Sequence, residues 1–395
     1  MIEERQQQLG TFLQYLAEAL DVPENLRRDA KSKYDHIGKW VKEDSQRRFR
    51  TDSEVYPQGS VRLGTMIQPV KDEDDYDIDL VYRRNLVKEG VTQQGLKNQV
   101  GEQIRQYAEQ LRTTGQEVPT LEEGRRCWTL RYGNRFHMDV LPSIPDDEAE
   151  KNNVRDRKEG ILITDKELRL WKPSNPRGYA NWFDEQNRVL LVERREAMAK
   201  AASVEIEEIP VEVVKTPMRR VVQLLKRHRD QRYEGHPDDK PISVIITTLA
   251  AKAYGGETNP YEAFMSTVRK MTKHIERRNG VYWVENPVNP NENFADRWEE
   301  YPERAARFFE WLAQIEHDIR SAAEQRGIHK VAGVLASAFG ERVVTKAASR
   351  FGNAIYEQRE AGSLRMAAGT GILGAAGQIV KGHTFFGARI QDKKV

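Results

Sequence analysis

VYPQGSVRLGT at 55–65 and YDIDLVY at 76–82 are the stretches on which the reading of the fold turns. In a β-strand alternate residues share a face, so Asp77 and Asp79 point one way while Ile78 and Leu80 point into a core. Two carboxylates held side by side repel each other unless a cation sits between them. Such pairs suit Mg²⁺, which takes a few carboxylates together with substrate phosphates. A lone Asp-x-Asp also fits an edge strand protected by its acids. Upstream, Gln58-Gly59-Ser60 follows a strand-like start. A glycine at a strand-to-helix turn lets backbone amides approach an anion, the serine adds a hydroxyl donor, and the helix N-terminus adds a favourable dipole. On its own Gly-Ser is a common turn dipeptide.

The third piece is RFHMDVLP at 135–142. Asp139 stands between Met138 and Val140, and a strand carboxylate with apolar neighbours needs an arginine, a hydrogen-bond network or a metal. An adjacent antiparallel strand would bring it beside Asp77 and Asp79. His137 shares its face and reads as a satisfied or solvated histidine sooner than as a ligand. Cys127 and Trp128 read as core. Each signal is modest alone, but their order is specific: Gly-Ser, Asp-x-Asp after 16 intervening residues, then a third strand aspartate about 60 residues on.

The rest of the chain sorts around these pieces. With 395 residues, two or three domains and an ample core are expected. A hydrophobic fraction of 38% with 31% charge describes a water-soluble globular protein, and no uncharged apolar run approaches the roughly 18 residues that span a bilayer. No signal peptide is visible, and the single cysteine excludes an internal disulfide, so a cytoplasmic address follows. The 63 Lys+Arg against 61 Asp+Glu exclude a stable DNA coat, yet the average conceals clusters. Residues 72–79 (DEDDYDID) hold six carboxylates, and 215–232 hold seven Lys/Arg. Such runs are usually solvated faces, but opposed in one cleft they would serve a metal and a polyphosphate.

Three-to-four spacing of Leu13, Leu16, Leu20, then Ile37, Trp40 and Val41, predicts N-terminal helices to about residue 50. Strand-like CWTLRY and FHMDVL follow a helical stretch through Val100, Ile104, Tyr107 and Leu111, a mixed α/β layer. From Thr216-Pro217 the pattern turns helical, with Val221, Leu224, Leu225 and His228 sharing a face, then a helix across ISVIITTLAAKAY and others near 260–275 and 302–325. The expected organisation is helices at 1–50 bracing two lobes, a core at 51–210, a helical lobe at 211–350, and a Gly-rich mobile tail at 351–395.

The ordered pieces resemble the polymerase-β-like nucleotidyltransferases, and within them the cGAS/DncV-like branch related to oligoadenylate synthetase. QGS at 58–60, YDIDL at 76–80 and MDV at 138–140 carry the resemblance; RRVVQLLKRHRD, KPISVIITTLAAKAY and NPVNPNENFADRW resemble that family's helical lobe. The resemblance implies an α+β bilobal fold, a mixed-sheet core and an all-helical lobe with the site in the cleft between them. It implies that Asp77 and Asp79 bind two Mg²⁺ ions (Mn²⁺ being an alternative), and that Asp139 binds the catalytic one and activates the acceptor hydroxyl. Gln58, Gly59 and Ser60 would contact the donor triphosphate from the core, and Lys226 and Ser243 from the helical lobe. Asn289 and Asn293 fall in a motif lining the nucleotide cleft. Lys226 reads equally as a solvated helix residue, and Ser243 as a local cap.

The implied activity is synthesis of a cyclic di- or trinucleotide second messenger from NTPs, ATP among them, with release of pyrophosphate. A separate effector protein would read the product in phage defence of the CBASS kind. The alternatives are a relative that makes linear oligonucleotides or modifies RNA or protein, and a non-catalytic nucleotide-binding module. Some relatives are conjugated or regulated through their C-terminus; a tail ending Lys-Lys-Val rather than in a small residue speaks against it here.

Overall fold

A computed structural model describes residues 2–133, 135–148, 157–167, 170–368, 370–374 and 377–380. Elements are numbered in chain order. Helices α1 (Ile2–Ala19) and α2 (Glu24–Asp44) lead into strand β1 (Ser53–Pro57), the one-turn helix α3 (Gly59–Arg62) and strand β2 (Tyr76–Arg84). Helix α4 (Gln93–Thr113) precedes β3 (Thr120–Glu123), β4 (Trp128–Tyr132), β5 (Phe136–Pro145), β6 (Ile161–Ile163) and β7 (Lys172–Ser174). Helices α5 (Pro176–Glu185), α6 (Arg188–Ala202), α7 (Pro217–Arg232), α8 (Ser243–Ala253) and α9 (Pro260–Met271) follow. Two hairpins, β8 (Glu276–Arg278) with β9 (Val281–Trp283) and β10 (Glu285–Asn286) with β11 (Asn289–Asn293), interrupt the helices. The chain then forms α10 (Arg297–Glu300), α11 (Pro302–Glu324), α12 (Ile328–Phe339), α13 (Glu341–Glu360) and the short strands β12 (Arg365–Met366), β13 (Leu373–Gly374) and β14 (Gln378–Ile379).

The main sheet runs β1-β2-β5-β4-β3, with β6 and β7 continuing from β5. Here one expectation is corrected: β5 lies parallel to β2, not antiparallel. A parallel pair needs a crossover connection of a dozen or more residues, and the chain through α4, β3 and β4 provides it. The antiparallel neighbours of β5 are β4 on its other side and β6 at its C-terminal end. The parallel register still sets Asp79 directly beside Asp139 and Asp77 beside His137.

Alternation then divides the faces. Ile78, Leu80, Tyr82, Met138 and Val140 are buried under α2 and α4, through Ile37, Val41, Leu96, Val100, Ile104 and Tyr107. Trp128 joins this core, while Cys127 is only half-buried. On the opposite face Val81, Leu141, Ile161 and Ile163 close the far end of the strands. The near end of that face carries the acids and opens on the cleft.

The helical lobe has its own core. Phe12, Leu13 and Leu16 of α1 pack with α7, α8, α9, α11, α12 and α13, around residues such as Phe264, Trp311 and Phe339. The two N-terminal helices therefore divide, α1 serving the helical core and α2 the sheet. Ala180 and Phe183 of α5 also belong to the helical core, so its packing begins well before residue 210.

The expected tail is corrected as well. Residues 351–360 complete α13, whose Phe351 is buried against Phe12 and Tyr15, and β12 pairs with β13 and β14 in a small antiparallel sheet. Glycine there supplies turns: Gly371 and Gly377 have φ of 69° and 105°. The terminal KGHTFFGARIQDKKV lies outside the described residues. Among the described residues no helix is long and apolar enough to cross a membrane.

Candidate active site

Asp77, Asp79 and Asp139 each offer a carboxylate oxygen, and these three atoms lie within 4.8 Å of one another. Adjacent strands are about 4.8 Å apart, so the parallel register alone brings Asp79 and Asp139 that close. The crowding is electrostatically costly. Burial, then the charges of Asp77 and Asp139, hold the Asp79 carboxyl well above the usual carboxylate range. The Thr129 hydroxyl, opposite Asp139 on β4, donates to its Oδ1 at 2.5 Å and fixes its orientation. His137 Nε2 is 3.4 Å from Asp77 Oδ1, and that hydrogen bond raises its pKa. The Cys127 thiol, pushed up to about 12 by burial first and then by Asp139, stays protonated beside the cluster. All-oxygen donors of matching charge are what a hard divalent cation takes. The residues present thus fit Mg²⁺.

The Gly-Ser turn is locked onto this cluster. The Gln58 amide donates to the Asp79 carbonyl at 2.9 Å. Gly59 sits at φ 56°, and a Cβ there would lie 2.4 Å from Asp79 Oδ2. Glycine is demanded twice, by the backbone and by the carboxylate.

The cleft is a cavity of about 890 Å³. Gln58, Gly59, Ser60, Asp77 and Asp79 line it from the sheet, and Lys226, Arg229 and Ser243 from the helical lobe. Lys226 is not a solvated helix residue. Burial, then Arg229, lowers it to about 8, and its Nζ donates to the Thr65 carbonyl at 3.1 Å. Ser243 does not cap its helix through its side chain; its hydroxyl accepts from Arg229 at 2.8 Å.

Most of the basic helix has another task. Arg219 pairs with Asp184 at 2.7 Å, Arg220 with Asp21 at 2.7 Å, and Arg227 donates to the Phe339 carbonyl at 2.8 Å. These arginines fasten α7 to its surroundings, leaving Lys226 and Arg229 to the cleft. In the acidic knot, likewise, Asp75 pairs with Arg131 and Asp72 with Arg342.

Asn289 and Asn293 are not brought into the cavity. Asn293 is spent on its own hairpin, its Oδ1 accepting from Val284 and Ala295 and its Nδ2 donating to the Tyr282 carbonyl. Asn289 Oδ1 accepts from the Asn291 amide. Asn286, Glu292 and Phe294 line the cavity from this segment instead, with Tyr179 from α5. Strand alternation was the available signal, since Glu292 and Phe294 have the parity opposite to Asn289 and Asn293. Phe294 and Tyr179 also supply the aromatic surface that the residues after Gly-Ser lack.

Polymerase-β-like nucleotidyltransferases are the class to which this sheet, turn and two-lobed cleft point. The profile of the Second Messenger Oligonucleotide or Dinucleotide Synthetase domain, SMODS, matches residues 6–187. A c-di-GMP synthase from Roseivirga ehrenbergii is 31% identical over 355 residues, 89% of each protein. The cyclic dinucleotide synthase CdnG of Bradyrhizobium diazoefficiens is 23% identical over 409 residues, 96% of this chain and 95% of that one. Its solved structure in complex with GTP matches with a TM-score of 0.66 at 22% identity, over 87% of this chain and 99% of that one. Vibrio cholerae DncV, solved with the linear intermediate pppA(3′,5′)pG, matches with a TM-score of 0.54 at 15% identity, over 87% and 81% of the two chains. The chain belongs to the cGAS/DncV-like nucleotidyltransferases, the CD-NTases. It is an enzyme of the cyclic-oligonucleotide-synthase class.

Proposed function

We propose that the protein condenses two NTPs, GTP at least one of them, into a cyclic dinucleotide with release of pyrophosphate. The observation that carries this reading is the cluster of Asp77, Asp79 and Asp139 facing Lys226 across one large cavity. The cavity volume lies towards the upper end for small-molecule sites, as two nucleotides held together would need. The choice of dinucleotide and of guanine rests on the two synthases named above, one of them a c-di-GMP synthase.

Asp77, Asp79 and Asp139 would hold Mg²⁺, with Mn²⁺ as an alternative. Bound there, the metal supplies Lewis-acid stabilisation of phosphoryl oxygens and acidifies the acceptor hydroxyl. The protein's own groups do the positioning. The Gln58-Gly59-Ser60 turn offers backbone amides and a hydroxyl to the donor triphosphate. Asp139, oriented by the Thr129 hydroxyl, would take the acceptor hydroxyl proton. Lys226, buried and already close to the cluster, offsets charge that develops on the leaving pyrophosphate. The Arg229–Ser243 pair presents further donors from the opposite wall. After the first transfer the linear intermediate turns in the cleft, and a second transfer closes the ring. We read the product as a cytoplasmic second messenger for a separate effector protein in phage defence. That role predicts fewer plaques in cells carrying the active gene with its neighbours than in cells carrying the Asp77→Asn/Asp79→Asn form.

The biochemical test is incubation with all four NTPs and Mg²⁺, phosphatase treatment and mass spectrometry. A phosphatase-resistant guanine-containing cyclic dinucleotide is expected, with no pyrophosphate from Asp77→Asn/Asp79→Asn. A product keeping a phosphatase-sensitive 5′-triphosphate would refute cyclisation, and undiminished turnover in the double variant would refute the site.

A further inference from the structure

Glu292 is the carboxylate of the cavity wall contributed by the β10–β11 hairpin, set apart from the metal-binding acids of β2 and β5. The other cavity acids of the helical lobe are engaged with cations: Asp230 with Arg229 and Lys240 at 2.8 and 2.7 Å, and Glu234 with Lys71 at 3.6 Å on the exposed rim. Glu292 also has a lysine within reach, but its close partner is a neutral amide. Its Oε2 accepts from Asn286 Nδ2 at 2.7 Å, and its nearest cation is the Lys172 ammonium, 3.7 Å from Oε1. Asn286 is itself buried and fixed, because its Oδ1 accepts from the Val288 amide at 3.0 Å. The carboxylate is therefore oriented by a neutral amide, faced by a lysine, and left with lone pairs for another donor. Beside it the same wall carries Phe294, in edge-to-face contact with Tyr179, their ring centroids 6.2 Å apart.

An aromatic surface and a carboxylate on the same cavity wall have the chemistry to select one base. Purine rings stack on aromatic side chains, a sequence-tolerant contact. The carboxylate then discriminates. Guanine presents N1–H and N2–H₂, two adjacent donors that one carboxylate accepts together, whereas adenine presents the N1 acceptor, which a carboxylate repels. We propose that Glu292, positioned by Asn286 and flanked by Phe294 and Tyr179, is the residue that selects guanine in one nucleotide subsite. This rests on the reading of GTP as a substrate and names the group that enforces it.

The test compares kcat/KM for GTP, ATP and ITP in the wild-type enzyme and in Glu292→Gln, with product release read as pyrophosphate. ITP keeps N1–H and lacks the 2-amino group, so the wild-type enzyme should prefer GTP over ITP by about tenfold, the worth of one lost hydrogen bond to a charged group. Glu292→Gln keeps the side-chain length and an oxygen for Asn286. It should lower the GTP/ATP ratio of kcat/KM by about tenfold or more. Glu292→Asp should retain part of that ratio. A merely structural role would lower all three substrates together and leave the ratio in place. An unchanged GTP/ATP ratio in Glu292→Gln, or a wild-type enzyme indifferent between GTP and ITP, would overturn the assignment while leaving the GTP reading intact. A wild-type enzyme that turns over ATP but not GTP would overturn the GTP reading itself.

Discussion

Replacing Gly59 by alanine isolates the geometry on which the catalytic cluster depends. Two penalties are separable in the structure. At φ 56° an alanine occupies the left-handed region, which costs about 1–2 kcal/mol for a residue bearing a Cβ. The new methyl would also stand 2.4 Å from Asp79 Oδ2, closer than carbon and oxygen tolerate. Relief requires the carboxylate, or the turn, to move by about 0.6–1 Å. Asp79 is hemmed in by Asp77 and Asp139, and its strand is fixed by pairing to β1 and β5, so the shift falls on the side chain that would hold the metal. Displacements of about 1 Å at a reacting centre cost on the order of a hundredfold in rate. Gly59→Ala should therefore fold, melt only a few degrees below wild type, and release pyrophosphate about a hundredfold more slowly. Gly115→Ala is the control. Gly115 has φ 68° and no atom within 4 Å of where a methyl would stand, so it carries the backbone penalty alone and should keep full activity. Pyrophosphate release and thermal melting on both variants decide the matter. Full turnover in Gly59→Ala would show that the contact between the turn and Asp79 is not part of the working site, and equal losses in both variants would show that backbone strain alone explains the defect.

Other consequences can be checked alongside. Because burial and its neighbours raise the Asp79 pKa in the folded state, the folded protein holds that proton above the pH at which the unfolded chain loses it. Metal-free stability should accordingly fall as pH rises from the ordinary carboxylate range through neutrality. Asp79→Asn should flatten this slope, and Mg²⁺ at pH 8 should raise the melting temperature of wild type more than that of Asp79→Asn. Lys226, lowered to about 8, loses its charge as pH rises through that value. Nucleotide KM should increase on the alkaline side in wild type, and Lys226→Met should show a raised KM with no such limb. Trp311 is fully buried and its Nε1 donates to His228 Nδ1 at 3.0 Å. Trp311→Ala should cost about 3–5 kcal/mol in denaturant unfolding, and a loss under about 1 kcal/mol would contradict its place in the helical core.

Local pattern was sufficient wherever a residue's role followed from its own neighbours in the chain. Period-two alternation placed Asp77 and Asp79 on one face and Ile78 and Leu80 on the other, since a strand offers only two sides. Thr216-Pro217 marked the start of α7, whose Thr216 hydroxyl accepts from the Arg219 amide. Periodicity says nothing, however, about which strand lies beside which. The parallel pairing of β2 with β5 depends on a crossover through α4, β3 and β4 that no local signal encodes. The charge of α7 was visible, but not its use. Whether an arginine faces solvent, a carboxylate or a carbonyl such as that of Phe339 depends on what distant segments bring against it. For the same reason, Asn293 reads as a nucleotide contact by motif and is a hairpin tie in space, while Glu292 beside it faces the cleft.

Sequence alone determined the three carboxylates, the Gly-Ser turn, the two kinds of lobe and, through the order of these pieces, the enzyme class. These are short-range properties, set by side-chain chemistry and by the periods of helix and strand. Tertiary structure alone decided that Asp139 meets Asp79 through parallel register, that Gly59 has no room for a methyl, that Lys226 is buried above the cluster, and that Tyr179, Phe294 and Glu292 share a wall. Each of those is a contact between segments tens to hundreds of residues apart, and only the packing of the two cores brings them within reach of one another.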